Sequence, residues 1–172
     1  QAGDIAKAAP AGYKFKAIKP DVKAGDKVDD GTVITLTYEK NEADTVEVGY
    51  TVKHVIEGET EAFKTVTAEK QSVWAGGDKK ATVQAGDIAK AAPAGYKFKA
   101  IDPNVKAGDK VANGTVITLT YEKDAAATVE VSYTVKHVIE GETEAFNTVT
   151  SAKQTVWAGG DKKAEVQTSE EE

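Results

Sequence analysis

The 172-residue chain predicts a β-rich α+β protein made of tandem small domains. Three observations carry that expectation: an 83-residue stretch is repeated without a gap, apolar residues within each copy alternate with a period of two, and one short segment per copy reads as helix. Gln1 to Val83 aligns with Gln84 to Val166 and differs from it at 13 of 83 positions, among them Lys19 against Asp102, Asp29 against Ala112, Glu42 against Ala125 and Lys64 against Asn147. The changes fall almost entirely on surface-type residues, and the large apolar positions are copied unchanged. Both copies are therefore expected to build the same core. Residues 167–172 are left over as an acidic tail that departs from the opening of a third copy.

The elements follow in order along one copy. Asp4 to Ala9 offers an aspartate N-cap before Ile-Ala-Lys-Ala-Ala, with Pro10 and Gly12 to end the run, and predicts a short helix. Tyr13, Phe15 and Ala17 alternate as a short strand. Thr32 to Lys40 alternates as well, with Ile34, Leu36 and Tyr38 inward and Val33, Thr35 and Thr37 outward, entered through the turn pair Asp30-Gly31 or, in the second copy, Asn113-Gly114. One long strand should carry Val46, Val48, Tyr50, Val52, His54 and Ile56 on a single face. Phe63 to Trp74, rich in threonine, valine and aromatics, predicts a further strand that Gly76-Gly77-Asp78 ends.

A folding unit could begin at Gln1, giving domains 1–83 and 84–166. It could instead begin near Thr45, so that 45–127 is one complete unit flanked by partial units 1–44 and 128–172. The second frame is favoured because Asn41 to Asp44 changes at three of its four residues between copies, as a solvated linker tolerates. The alternative makes Asn41 to Asp44 a hairpin loop inside a unit.

In the second frame the unit resembles the MucBP-type repeats of Gram-positive cell-wall adhesins. The matching residues are the opening strand from Val46 to Val55, Ala85-Gly-Asp-Ile, Pro93-Ala-Gly-Tyr-Lys-Phe, and the closing strand from Val116 to Lys123. The Asp-Gly-Asn type turn usual after the first strand is replaced here by Glu57-Gly58-Glu59. The resemblance implies a ubiquitin-like β-grasp fold, placed in tandem on an extracellular stalk, and in some members contact with mucus glycans. An immunoglobulin-like β-sandwich is the alternative fold.

Composition narrows the chemistry. All 22 basic residues are lysine against 28 acids, a net charge of -6, so nucleic acid is not an expected partner. No apolar run approaches the roughly 18 residues of a membrane span, and neither membrane insertion nor a signal peptide is read. With Cys 0 there is no disulfide, thiolate nucleophile or zinc-thiolate site. Covalent stabilisation would need a Lys to Asp bond through Asp4, Asp26 or Asp78, or a Thr to Gln ester through Gln71 and Gln154.

No catalytic, metal or cofactor constellation stands out. His54 and its copy His137 follow a lysine in a strand and read as strand-end residues rather than bases. Glu57, Glu59 and Glu61 lack the Asp-x-Asp-x-Asp-Gly pattern of a calcium loop. Ala75 to Lys80 lacks the spacing of a phosphate-binding loop. Asn113-Gly114-Thr115 is formally a glycosylation acceptor, but Asp30 in the other copy makes it a turn. Trp74 and Trp157, beside their glycine pairs, are the candidate ligand-binding residues, either as platforms for a sugar face or as core closure.

The function expected is a stalk or spacer of a bacterial cell-surface adhesin, anchored to the wall through other regions, with neighbouring repeats as its partners. The alternative is an adhesive module that binds host glycan or protein through the Trp74/Trp157 edge. An enzyme is not expected. Head-to-tail self-association by strand complementation is expected if the folding unit begins near Thr45.

Overall fold

A computed structural model describes residues 3–167, and among them it contains strands but no helix. In order these are β1 (Tyr13–Lys19), β2 (Thr35–Lys40), β3 (Thr45–Val48), β4 (Tyr50–Ile56), β5 (Ala62–Thr67), β6 (Gln71–Trp74), β7 (Lys80–Thr82), β8 (Tyr96–Asp102), β9 (Lys110–Ala112), β10 (Thr115–Lys123), β11 (Thr128–Val131), β12 (Thr134–Val138), β13 (Ala145–Thr150) and β14 (Gln154–Trp157). The described chain is therefore β-rich, and the α part of the expected α+β class is corrected. The Asp4 to Ala9 stretch holds only a turn at residues 3–5, and its copy a turn at residues 85–88. So few residues cannot offset the cost of nucleating a helix, and the residue before Pro10 or Pro93 is driven away from helical backbone.

One sheet has four strands in the order β5-β4-β10-β8, and the other strands pair in twos as β1-β2, β3-β6, β7-β9, β11-β14 and β12-β13. The two-stranded pairs and β10-β8 are antiparallel. β4 and β10 run parallel. Gly114 N–H donates to Gly49 O (2.8 Å) where both strands begin, and Glu57 N–H donates to Tyr121 O (2.8 Å) where both end.

Two of the expected long strands are each broken. The Val46 to Ile56 run divides at Gly49 into β3, which pairs with β6, and β4, which enters the larger sheet. Gly49 pairs with neither strand there: its N–H goes to Asn113 Oδ1 (2.9 Å) and its carbonyl to Gly114. The Phe63 to Trp74 run divides likewise at Ala68 to Lys70 into β5 and β6. Alternation survives the break at Gly49, with Val48, Tyr50, Val52 and His54 all buried, whereas between β5 and β6 the more buried positions pass from Val66 and Ala68 to Gln71 and Val73, a shift of one residue.

The two copies do not share one core. Ile117, Leu119 and Tyr121 are 0 % exposed, whereas their counterparts Ile34, Leu36 and Tyr38 are only half-buried. Among the described residues, every buried core side chain lies between Val48 and Tyr121.

By its contacts the chain divides into two compact units, one formed by Gln1–Val52, Thr65–Ile88 and Asn104–Ile117, the other by Lys53–Lys64, Ala89–Pro103 and Thr118–Glu172. The first contains β1-β2, β3-β6 and β7-β9, with Val48, Tyr50, Val52, Ala81, Val83 and Ile117 buried. The second contains β8, β11-β14 and β12-β13, with His54, Leu119 and Tyr121 buried. Around Tyr121 the rings of Phe63 and Phe98 stand edge-on, with centroids at 5.5 and 6.1 Å.

Candidate functional site

Trp74 ends β6 and is half-buried, and its indole N–H donates to Gly12 O (3.0 Å) and Asn41 O (3.1 Å). Tyr13 meets the ring edge-on with centroids 5.4 Å apart, and Lys40 Nζ lies 4.8 Å from the ring centroid. Two glycines make room for this arrangement. A side chain at Gly12, whose φ is +81°, would come within 2.7 Å of Gly76 Cα and 2.8 Å of Trp74 Cε2. Asp44 Oδ2 accepts the Gly12 N–H (2.6 Å). Trp157 repeats the clasp with Gly95 O and Asp124 O (both 3.1 Å), Tyr96 edge-on at 5.4 Å, and Lys123 at 4.3 Å. Both candidate binding residues thus have their polar handle engaged and a lysine over the ring. Their first task is to tie the β3-β6 and β11-β14 ribbons to the turns at Gly12 and Gly95.

A second linkage was not legible in sequence. Tyr50 Oη donates to Asp87 Oδ2 (2.6 Å) and accepts the Gln84 N–H (2.8 Å). Burial, reinforced by the Asp87 carboxylate, pushes this phenol up to about 12, so it stays protonated. Beside it the Gln71 amide donates to Thr82 O (2.7 Å) and accepts the Thr82 N–H (2.8 Å). Gln154 makes the same pair of bonds with the backbone of Glu165. Because Glu165 replaces Thr82, the glutamine reads backbone, and no threonine hydroxyl is part of the arrangement. The sequence marks Tyr50 as an inward strand residue and Gln71 as a crosslink candidate, but nothing in it points to their partners, which lie 11 to 37 residues away.

His54 is 1 % exposed, with Nδ1 2.8 Å from Tyr121 Oη and Nε2 buried without a partner. Burial first, and the nearby Lys64 charge second, hold its imidazole below the usual range. The enclosed imidazole couples folding to pH. The unfolded chain binds this proton near 6.5 and the folded chain only at lower pH, so between those values the unfolded state holds more protons and stability rises with pH. Urea unfolding should therefore show a midpoint that falls from pH 7 to pH 5, with a smaller fall in His54→Gln. An equal fall in the variant would remove His54 as a cause.

The remaining motifs are structural. Glu57 pairs with Lys99. Ala75 to Lys79 connects β6 to β7, and Lys79 there takes a φ of 51°. Asp26 Oδ2 caps its own turn by accepting the Lys23 N–H (2.9 Å), and Asn113 bonds Gly49. His137, unlike His54, is exposed. Among the described residues no three His, Asp or Glu side chains converge as a metal site. Comparison with known proteins finds no family model, no curated relative and no solved structure that matches this chain.

Proposed function

We propose that the chain is a tandem-repeat stalk of a bacterial cell-surface adhesin, a spacer that carries tension and projects a binding domain, with neighbouring repeats of its own kind as partners. The observation that carries this reading is the parallel pairing of β4 with β10. In the 45–127 frame these belong to the opening and closing parts of the unit. Tension between its ends would draw the start of one strand and the finish of the other in opposite directions. The hydrogen bonds between them are then loaded together in shear, rather than opened one by one as in an antiparallel pair pulled from one end.

The sheet order β5-β4-β10-β8, with a parallel central pair and β8 antiparallel to β10, supports a β-grasp rather than an immunoglobulin-like arrangement. It also fits the resemblance to MucBP-type repeats, in which the place of the crossover helix would here be taken by the turn at residues 85–88. An extracellular, wall-anchored setting without catalytic activity belongs to the same reading.

Single-molecule pulling on the chain, tethered at both ends, tests the proposal. The unit should resist until one abrupt event releases roughly 250 Å, the contour length of its 83 residues at ~3.3 Å each less the folded span. Gradual lengthening at low force would overturn it, because unfolding under load is set by the height of the barrier that shear raises.

A further inference from the structure

We propose that Asn113 is a modification site, a side-chain amide that converts to aspartate and isoaspartate at a rate set by how often its contact with Gly49 opens. Asn113 is followed by Gly114, and the reaction uses that neighbour. The Gly114 amide nitrogen, once base has taken its proton, attacks Asn113 Cγ. The new N–Cγ bond closes a five-membered imide, and the side-chain nitrogen leaves as ammonia. Water then adds to one of the two imide carbonyls. Opening at Cγ restores the ordinary backbone as aspartate, whereas opening at the main-chain carbonyl carbon reroutes the chain through Cβ and Cγ as isoaspartate. A side chain on the following residue crowds the attacking nitrogen, and the other three asparagines precede Glu42, Val105 and Thr148.

The fold holds both reacting groups on one residue. The Gly114 N–H, whose nitrogen is the nucleophile, donates to Gly49 O (2.8 Å), and Asn113 Oδ1 accepts the Gly49 N–H (2.9 Å). While both bonds stand, the nitrogen keeps its proton and the side chain is fixed in direction, so Cγ cannot turn toward it. Asn113 and Gly114 are otherwise exposed, and water and hydroxide reach them once Gly49 moves away. Gly49 lies at the break between β3 and β4 and belongs to neither strand. One displacement of this residue therefore frees nucleophile and electrophile together. Imide formation is far slower than such opening and closing, so its rate follows the population of the open form.

The two products differ in what they do to the turn. Aspartate fits it, because Asp30-Gly31 occupies the same place in the other copy, with Gly31 at a φ of 78° against 82° at Gly114. The hydroxyls of Thr32 and Thr115 also donate alike to the carbonyl three residues back, Asp29 O (2.7 Å) and Ala112 O (2.8 Å). A carboxylate oxygen at position 113 still accepts the Gly49 N–H. Isoaspartate inserts an extra main-chain carbon before Gly114 and leaves its carboxylate on Cα. The Gly114 N–H and an oxygen of residue 113 then no longer reach Gly49 together. An isoaspartyl chain cannot rebuild the contact, so the conversion is a permanent record of time spent open.

Ageing the whole chain at mildly alkaline pH, with and without urea, tests this. Cleavage after lysine yields the peptide 111–123, in which Asn113 is the one asparagine, and mass spectrometry follows its amide-to-acid change while chromatography separates the two products. In urea this peptide should convert well ahead of those that hold Asn41, Asn104 and Asn147. In native buffer its conversion should slow by roughly ten- to a hundredfold, the factor that two intact hydrogen bonds represent. Hydrogen exchange of the Gly114 amide should slow by the same factor, since it requires release of the same N–H from Gly49 O. Asn113→Asp should keep the wild-type unfolding midpoint, and chains converted in urea and then refolded should show a second, lower midpoint in proportion to their isoaspartate. Equal rates in buffer and urea, a slowing that departs from the Gly114 protection by more than about tenfold, earlier conversion at another asparagine, or isoaspartyl chains with an unchanged midpoint would each overturn the proposal.

Discussion

Leu119→Ala should destabilise the protein by about 3–5 kcal/mol, while Leu36→Ala, the same substitution at the same position of the other copy, should cost less than half as much at low protein concentration. Leu119 is fully buried in the middle of β10, with β4 on one side and β8 on the other. Truncation there loses the transfer energy of three carbons and leaves a cavity that the flanking strands cannot close. Leu36 is half-buried on β2, which has β1 alone beside it, so water fills the space and little cavity energy is added. Denaturant unfolding of the two variants in dilute solution measures the difference. Equal losses would mean that each 83-residue copy builds its own core and would place the domain boundary at Val83.

Trp74→Ala should be nearly as damaging, at about 3–5 kcal/mol, and Trp157→Ala should match it in the second copy. The loss combines a large aromatic surface with two carbonyl groups deprived of their donor. Trp74→Phe separates the two contributions, keeping most of the ring and giving up only the bonds to Gly12 and Asn41, for about 1–3 kcal/mol. These variants also distinguish the spacer from an adhesive module. If the tryptophans held host glycan, Trp74→Phe together with Trp157→Phe would abolish retention on immobilised mucin while the unfolding midpoint barely moved. The expectation is the reverse, a lowered midpoint with no mucin-dependent signal to lose.

Period-two alternation identified the inward faces of β2, β4 and β10, and the pairs Asp30-Gly31 and Asn113-Gly114 identified the turns, whose glycines both take positive φ. It could not show where a strand leaves one sheet for another. Val48 and Tyr50 keep the alternation across Gly49, and the partners that divide them, Asn113 and Gly114, are more than 60 residues away. The helix over Asp4 to Ala9 failed for a local reason: an N-cap and three alanines are helix signals, but too few residues separate them from Pro10. Unequal burial of identical residues is beyond any reading of local sequence, since Leu36 and Leu119 differ only in what lies beside them. The tryptophans were visible as candidates and their carbonyl partners were not. Those carbonyls belong to backbone 33 and 62 residues away, and any residue type would have supplied them.

The gapless copying of the apolar positions bears on how such a gene can change length. A crossover between the two copies at any point, in the 83-residue register, joins the front of one copy to the back of the other. Every hybrid so formed keeps the same valine, isoleucine, leucine and aromatic positions, because none of the 13 differences touches them. Each strand of the product still has the neighbour that its side chains fit, whether the cut falls in a turn or in the middle of β10. Recombination can therefore add or delete whole 83-residue periods while every large apolar position is kept, so that copy number can vary in steps of one repeat.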